Sequence, residues 1–143
     1  MDITLTSLET EHSALLRAKI ASQIASQGGW LPFSRYMEIA LYEPSMGYYS
    51  AGANKLGSGG DFTTAPELSP LFGAAICSTL LPVLEALQKK GLPTRILEFG
   101  AGTGKLATSI LTRLNDLGFT LDHYDIIEIS PDLAQRQQER IGA

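Results

Sequence analysis

Residues 95–104 read RILEFGAGTG, and this stretch decides the fold. Its first five residues are mostly apolar, which predicts a short strand, and the crowded glycines that follow predict a tight turn. Beyond the turn, apolar side chains recur at helical spacing and Gly118 supplies a stop signal, so a helix is predicted from Gly104 to Leu117. The stretch is therefore interpreted as a strand–turn–helix junction.

A second strand and helix follow directly. Residues 124–129 read YDIIEI and predict a strand, and residues 130–132 combine an N-cap serine, a proline and an acid at a helix start. Strand, helix, strand and helix at this spacing predict parallel strands joined by a right-handed crossover. The predicted fold class is α/β, the start of a Rossmann-like core in β-α-β-α order.

The residues before this core predict a helical and hairpin extension. Helices are predicted over residues 8–27, over residues 35–42 with Ser34 as N-cap, and from Ser69-Pro70 to Lys90. Between the second and third helices, residues 47–50 are β-prone and precede a glycine-rich loop. The chain is accordingly divided into the extension, residues 1–92, and the first two βα units of the core, residues 93–143.

Composition narrows the function classes. The 143 residues carry a net charge of -4, without the basic footprint of a nucleic-acid-binding protein. Cys77 is the single cysteine and the two histidines lie far apart in the sequence, so no metal site is predicted. The N-terminus has no signal-like or transit-like pattern, and no run of about eighteen apolar residues is found. These observations predict a cytoplasmic protein that does not engage a membrane.

The glycine-rich turn has the properties of an anion-binding cradle. Glycine accepts positive φ and lets a ligand approach the backbone, while the start of the next helix offers N–H groups and partial positive charge. A P-loop is excluded, because Gly100 and Gly104 are one residue too close and Leu106 occupies the Ser/Thr position. A dinucleotide fingerprint counted from Gly102, with Ala107 as its third small residue, stays open, as does a turn without a ligand.

Two acids flank this turn in the predicted sheet. Glu98 lies two residues before the first glycine, and Glu128 ends the second strand. A carboxylate at Glu128 would lie beside the cradle and accept hydrogen bonds from ribose hydroxyls in either kind of site. Glu98 would repel a pyrophosphate but can reach the amino group of a methionine moiety, which favours S-adenosylmethionine (SAM). The predicted cofactor-binding residues are Glu98, Gly100, Ala101, Gly102, Gly104, Glu128 and Ser130.

The strongest motifs lie in residues 37–49, 60–73, 98–104 and 124–133, and the run from Gly60 to Ser69 is the most specific. Together they resemble the MidA-like SAM-dependent methyltransferases, a family whose mitochondrial members are assembly factors of respiratory complex I. The resemblance implies a Rossmann-like methyltransferase core with an N-terminal helical extension. It also implies SAM as methyl donor and a protein substrate, with arginine as the acceptor in the mitochondrial members.

Two acids in the most specific motif are the candidates for catalysis. Methyl transfer needs alignment and a desolvated pocket more than an acid catalyst, but a guanidinium acceptor would need carboxylates to hold it. Asp61 and Glu67 are the first candidates for that role. The alternative is structural, with Asp61 capping a turn and Glu67 marking a helix entry.

Length is where the chain departs from the resemblance, since members of the family are considerably longer. The sequence holds only two strands of such a sheet, which predicts a truncated product or a second copy covering the exposed edge of the first strand. A homo-oligomer through that edge is therefore one expectation. The rival to an enzyme is a catalytically incomplete fragment that keeps a nucleotide half-site or a partner-binding surface.

Overall fold

The computed structural model describes residues 7–51 and 63–142. Chain contacts divide the protein into two compact units, Met1–Ala53 and Asn54–Ala143. The long helix before the first strand packs within the second unit, so this division falls earlier in the chain than the predicted boundary after residue 92. Each unit is therefore described by itself.

The first unit contains two helices, α1 (Ser7–Ser26) and α2 (Phe33–Tyr42). Gly28 and Gly29 both have positive φ after α1, as expected for a helix stop. Ser34 is not the N-cap of α2: the helix begins one residue earlier, at Phe33, and the cap position falls on Pro32 without a side-chain hydrogen bond. The pyrrolidine ring fixes the φ of Pro32 at a value that suits the extended backbone before the helix. The helix therefore starts at Phe33 without Ser34 as its cap.

The strand predicted over residues 47–50 is absent, and the described segment forms turns instead. The backbone N–H groups of Tyr48 and Tyr49 donate to the carbonyls of Ala40 and Leu41, at 2.9 and 2.8 Å. They are thus bonded to the end of α2, and residues 7–51 contain no strand that could pair with them. Gly47 makes this close approach possible, because a Cβ at its position would lie 2.5 Å from the backbone nitrogens of Tyr42 and Glu43, at the end of α2.

The second unit carries the predicted α/β core. Its elements are α3 (Ala65–Leu68), α4 (Pro70–Lys89), β1 (Arg95–Phe99), α5 (Lys105–Asp116), β2 (His123–Ile127) and α6 (Pro131–Ile141). The two strands are parallel, with Arg95 opposite His123 and Phe99 opposite Ile127, so both carboxyl ends meet at one edge. The predicted α/β class and parallel pairing are confirmed, and α3 is an additional short helix.

The core of this unit lies between α4, α5 and one face of the sheet. Its buried side chains are Cys77 and Leu84 from α4 and Ile110 and Leu114 from α5. The two helices approach closely at Gly73, where a Cβ would lie 2.4 Å from the Cβ of Ser109. This packing fixes the start of α5 against the end of β1, which is where the glycine-rich turn lies.

One described helix, α4, is long and apolar enough to cross a membrane by length and composition. This corrects the expectation that no such segment exists. A helix can be apolar on average even though polar residues interrupt its continuous apolar run. The core helix of a globular domain can have the same length and composition; α4 buries Cys77 and Leu84 against α5, but only 17% of its apolar stretch is buried. Length and composition alone therefore assign no membrane role.

Candidate functional site

The turn between β1 and α5 is built on three glycines with left-handed backbones. Gly100, Gly102 and Gly104 have φ of 65°, 56° and 78°. The N–H of Gly100 donates to the carbonyl of Ile127 at 2.9 Å, and the N–H of Gly104 donates to that of Ala101 at 2.9 Å. The turn is therefore anchored to the end of β2 and closed on itself, and the prediction that its glycines adopt positive φ is confirmed.

A groove of about 350 Å³ opens beside this turn. It is lined by residues 98–103, by Lys105 and Leu106 at the start of α5, and by Thr64, Pro66 and Glu67 around α3. Its size is at the lower end of small-molecule sites, which span roughly 300–1,000 Å³. The helix start contributes N–H groups without partners in the helix, so the groove suits a ligand with an anionic group.

Glu98 enters the groove in a fixed orientation. The hydroxyl of Tyr124 donates to Glu98 Oε2 at 2.7 Å, linking the two strands diagonally on one face of the sheet. Burial raises the pKa of Glu98, and the hydrogen bond from Tyr124 only partly opposes it. Burial and the nearby carboxylate both raise the pKa of Tyr124, so this hydroxyl keeps its proton and acts as the donor.

Glu67 is tied to the glycine-rich turn rather than presented to the groove as a free carboxylate. Its side chain is only 5% exposed, and Oε2 lies 2.5 Å from Lys105 Nζ. The hydroxyl of Thr103 donates to the other carboxylate oxygen, Oε1. Glu67 thus joins α3 to the turn and to the first residue of α5.

These contacts lower the pKa of Glu67. Burial alone would raise it, but the hydrogen bonds from Lys105 and Thr103 and the charges of Lys105 and Arg140 outweigh that effect. Because the folded pKa is depressed, the ionised side chain adds stability that is present above the unfolded pKa of about 4.3 and is lost as pH falls through the folded value.

We therefore expect Glu67→Gln to lower the free energy of unfolding by about 1 kcal/mol at neutral pH and by less as the pH falls below about 4. The substitution keeps the shape of the side chain and removes its charge. Urea unfolding of both proteins across this pH range measures the difference. Glu85→Gln, at an exposed position of α4, is the matched control. A difference that stays constant down to pH 2 would contradict the role of the ion pair.

Glu128 lies directly after β2, and this chain engages both of its carboxylate oxygens. The N–H of Ser130 donates to Oε1 at 2.9 Å, and Nε2 of Gln137 donates to Oε2 at 3.1 Å. The same Nε2 also donates to the carbonyl of Gly102 at 2.9 Å. The structure therefore brings Glu128 and the glycine-rich turn together, as expected from the topology, with Gln137 between them.

Not every predicted site residue faces the groove. Ser130 is fully buried, and its Oγ accepts a hydrogen bond from the N–H of Leu133 at 3.3 Å, which makes it the N-cap of α6. Its hydroxyl therefore serves the helix. Ala101 is largely buried but does line the groove. Asp61 lies outside the described residues.

Tyr124 and Gln137 are not among the site residues predicted from the sequence. A signal for Gln137 is its spacing on α6: it follows Leu133 by one helical turn, and both side chains are buried. An amide at a core position of a helix needs hydrogen-bond partners, which points to a structural contact. Within residues 7–51 and 63–142, no group of three or more His, Cys, Asp or Glu side chains could hold a metal ion.

Comparison with known proteins agrees with this geometry. Residues 75–143 match a family model described as "Putative S-adenosyl-L-methionine-dependent methyltransferase". A crystal structure of a Burkholderia thailandensis protein bound to S-adenosyl-homocysteine superposes with a TM-score of 0.84 at 49% identity, covering 99% of this chain and 37% of that one. A second structure from the same organism gives a TM-score of 0.78 at 46% identity, covering 99% of this chain and 34% of the other.

Curated relatives are named as arginine methyltransferases. Protein arginine methyltransferase NDUFAF7, mitochondrial, of Danio rerio is 35% identical over 84% of this chain and 29% of its own length. The NDUFAF7 homolog of Drosophila melanogaster is 34% identical over 92% of this chain and 30% of its own length. The chain thus spans about a third of the length of these proteins. The motif resemblance is confirmed, and the chain belongs to the family of MidA-like, SAM-dependent methyltransferases.

Proposed function

We propose that the chain binds SAM in the groove at the carboxyl ends of β1 and β2 and serves the transfer of its methyl group to a protein side chain. The observation that carries the proposal is that the glycine-rich turn and Glu98 line one groove, and that Gln137 links this turn to Glu128, which lines a second cavity of about 270 Å³. The related B. thailandensis structure holds S-adenosyl-homocysteine, the product that SAM leaves after methyl transfer, which supports it.

The residues present fit the cofactor. Gly100 has positive φ and open space where a side chain would stand, so a ligand can lie against its backbone. The start of α5 would hold the methionine carboxylate, Glu98 would hold the amino group, and Glu128 would accept hydrogen bonds from the ribose hydroxyls. When bound, SAM supplies an activated methyl group on a sulfonium. The chain's residues orient it and exclude water from it.

The dinucleotide alternative fits less well. A pyrophosphate over the turn would lie near the carboxylate of Glu98, which the hydroxyl of Tyr124 fixes at the groove. Two negative groups in a partly desolvated site repel each other. SAM offers an ammonium group at that position instead.

Arginine is the acceptor that the names of the relatives suggest, and we extend it to this chain as a proposal. Thr103 and Lys105 engage the carboxylate of Glu67, so we assign it to holding the turn in place rather than to contacting the acceptor. Asp61 remains the candidate for contact with a guanidinium.

Calorimetric titration with S-adenosyl-homocysteine tests the proposed function. We expect saturable binding with one site per chain, and no heat of binding with NAD. Glu128→Ala should weaken binding by about tenfold or more, because ribose hydroxyls lose a charged acceptor. Glu139→Ala, at an exposed position of α6, is the matched control and should bind normally. Folded protein that binds NAD, or that binds neither compound, would contradict the proposal.

A binding module without catalysis is the second candidate, because the chain spans about a third of the length of its relatives. The two candidates differ in one measurement. A chain that binds S-adenosyl-homocysteine but transfers no labelled methyl group from SAM to arginine-containing peptides would be such a module.

The location of the protein is also a proposal. The cytoplasmic location predicted from the sequence competes with a mitochondrial one, since the named animal relatives are mitochondrial proteins. Cys77, the single cysteine, is a free and buried thiol, which is compatible with either compartment.

We further propose that copies of this chain associate through the face and outer edge of β1. Within the described residues β1 pairs with β2 alone, and Leu97 on the face away from the core is 52% exposed. Leu97→Lys should therefore shift the protein towards the monomer, since charge on an edge strand opposes pairing. Light scattering after size exclusion, over a range of concentrations, measures this. Leu92→Lys, before the strand and 49% exposed, is the control. A wild-type monomer at all concentrations would contradict the proposal.

A further inference from the structure

Gln137 is a buried polar side chain that the proposed chemistry does not use. It is 4% exposed, on the face of α6 that packs against the core. Two other polar residues are buried in the described part of the chain, and both have structural roles: Thr94 bonds Asp122 at the start of the sheet, and Ser130 caps α6. Gln137 instead bonds the glycine-rich turn, which lines the groove, and Glu128, which lines a second cavity.

The two contacts define how the amide is oriented. Nε2 donates to the carbonyl of Gly102 at 2.9 Å and to Oε2 of Glu128 at 3.1 Å. Both partners only accept hydrogen bonds, so the amide nitrogen, with its two hydrogens, must face them. One side chain thereby links the glycine-rich turn to the acid after β2.

The backbone of α6 supports the same link. An added Cβ at Gly104 would lie 3.5 to 3.6 Å from atoms of Gln137, Arg140 and Ile141, so α6 lies in contact distance of the end of the turn. The N–H of Ser130 holds the second oxygen of Glu128. With one donor on each oxygen, the plane of the carboxylate is fixed, and lone pairs remain for ribose hydroxyls.

We propose that Gln137 is a positioning residue, which holds the Gly102 carbonyl and the Glu128 carboxylate in register so that both halves of the SAM site are formed before the ligand arrives. This inference rests on the proposed function. A preformed site binds more tightly, because the turn and the acid are already ordered and binding does not have to supply the free energy of ordering them. Gln137 itself touches neither the methyl group nor the acceptor.

Gln137→Met is the test variant, since it keeps length and apolar volume and removes both donors. Gln138→Met, its exposed neighbour on α6, is the control. We expect Gln137→Met to weaken binding of S-adenosyl-homocysteine by about tenfold and the control to leave it unchanged. In a Glu128→Ala background, Gln137→Met should weaken binding by only about threefold or less, because Gln137 has then already lost one of its two hydrogen-bond partners. Equal effects in both backgrounds would overturn the inference.

A second readout needs no ligand. In nuclear magnetic resonance spectra of the free protein, the backbone amide of Thr103, which shares its peptide group with the Gly102 carbonyl, should be sharp in the wild type. It should be broadened or rapidly exchanging in Gln137→Met and unchanged in Gln138→Met. Absence of S-adenosyl-homocysteine binding by the wild type would overturn the proposed function. An unchanged Thr103 amide in Gln137→Met would overturn the positioning role, whether or not the ligand binds.

Discussion

Gly100→Val is expected to abolish binding of S-adenosyl-homocysteine, whereas the same substitution at Gly118 leaves it intact. The two glycines are matched: their φ values are 65° and 70°, and a Cβ at either would meet nothing within 4 Å. Each valine therefore costs a similar strain of about 1–3 kcal/mol. Only Gly100 lines the groove, so only there would the side chain fill space that the ligand needs. We expect affinity to fall by more than about a hundredfold, equivalent to roughly 3 kcal/mol.

Calorimetric titration of both variants, with thermal unfolding followed by circular dichroism, separates the two effects. Similar loss of stability in both proteins, with loss of binding in Gly100→Val alone, is the expected result. If Gly100→Val bound the ligand with wild-type affinity, the ligand would not bind in this groove. Equal loss of binding in both variants would mean that stability, and not occupancy of the groove, controls affinity.

Local signals predicted the core around this turn well. The serine–proline pairs at Ser69 and Ser130 mark the starts of α4 and α6, and both serines accept the hydrogen bonds of an N-cap. The apolar run of β1 has the predicted bounds, Arg95–Phe99. These features depend on residues within one turn or one strand of each other, so the chemistry of the sequence suffices to place them.

Predictions failed where the partner of a backbone group lies elsewhere in the fold. The tyrosines at residues 48 and 49 favour a strand by type, but their N–H groups bond the end of α2. Ser34 has the chemistry of an N-cap, yet α2 already begins at Phe33. β-propensity describes a side chain that fits a sheet, and it is overridden when no neighbouring strand is present.

The sequence indicates where the two candidate acids lie but not which side chains hold them. The predicted parallel pairing of the two strands is confirmed, but β2 ends at Ile127, so Glu128 lies directly after the strand and not within it. The sequence does not indicate that Tyr124 fixes Glu98 or that Gln137 joins Glu128 to the turn, because those contacts depend on strand register and on how α6 packs. The contact of Glu67 with Thr103 likewise spans 36 residues and requires the short helix α3, which sequence patterns did not predict.

The buried side chains between α4 and α5 hold the start of α5, and with it the turn, in place. Leu114→Ala is therefore expected to lower the free energy of unfolding by about 2–5 kcal/mol. Leu114 is 1% exposed and belongs to the core cluster with Cys77, Leu84 and Ile110. Truncation leaves a cavity between α4 and α5 that these neighbours fill only in part. For a domain of ordinary stability, about 5–15 kcal/mol, this is a large fraction of the total.

Leu117→Ala is the control, since the same atoms are removed one helical turn later from a residue that is 44% exposed. Surface substitutions of this kind change stability by about 0.5 kcal/mol or less. Urea unfolding followed by far-ultraviolet circular dichroism measures both, and an unchanged m-value would show that the loss belongs to the native core. A cost below 1 kcal/mol for Leu114→Ala would mean that α5 is not held by this core. The position of the turn would then depend on its own contacts, chiefly Gly100 with β2, Glu67 with Lys105, and Gln137 with Gly102.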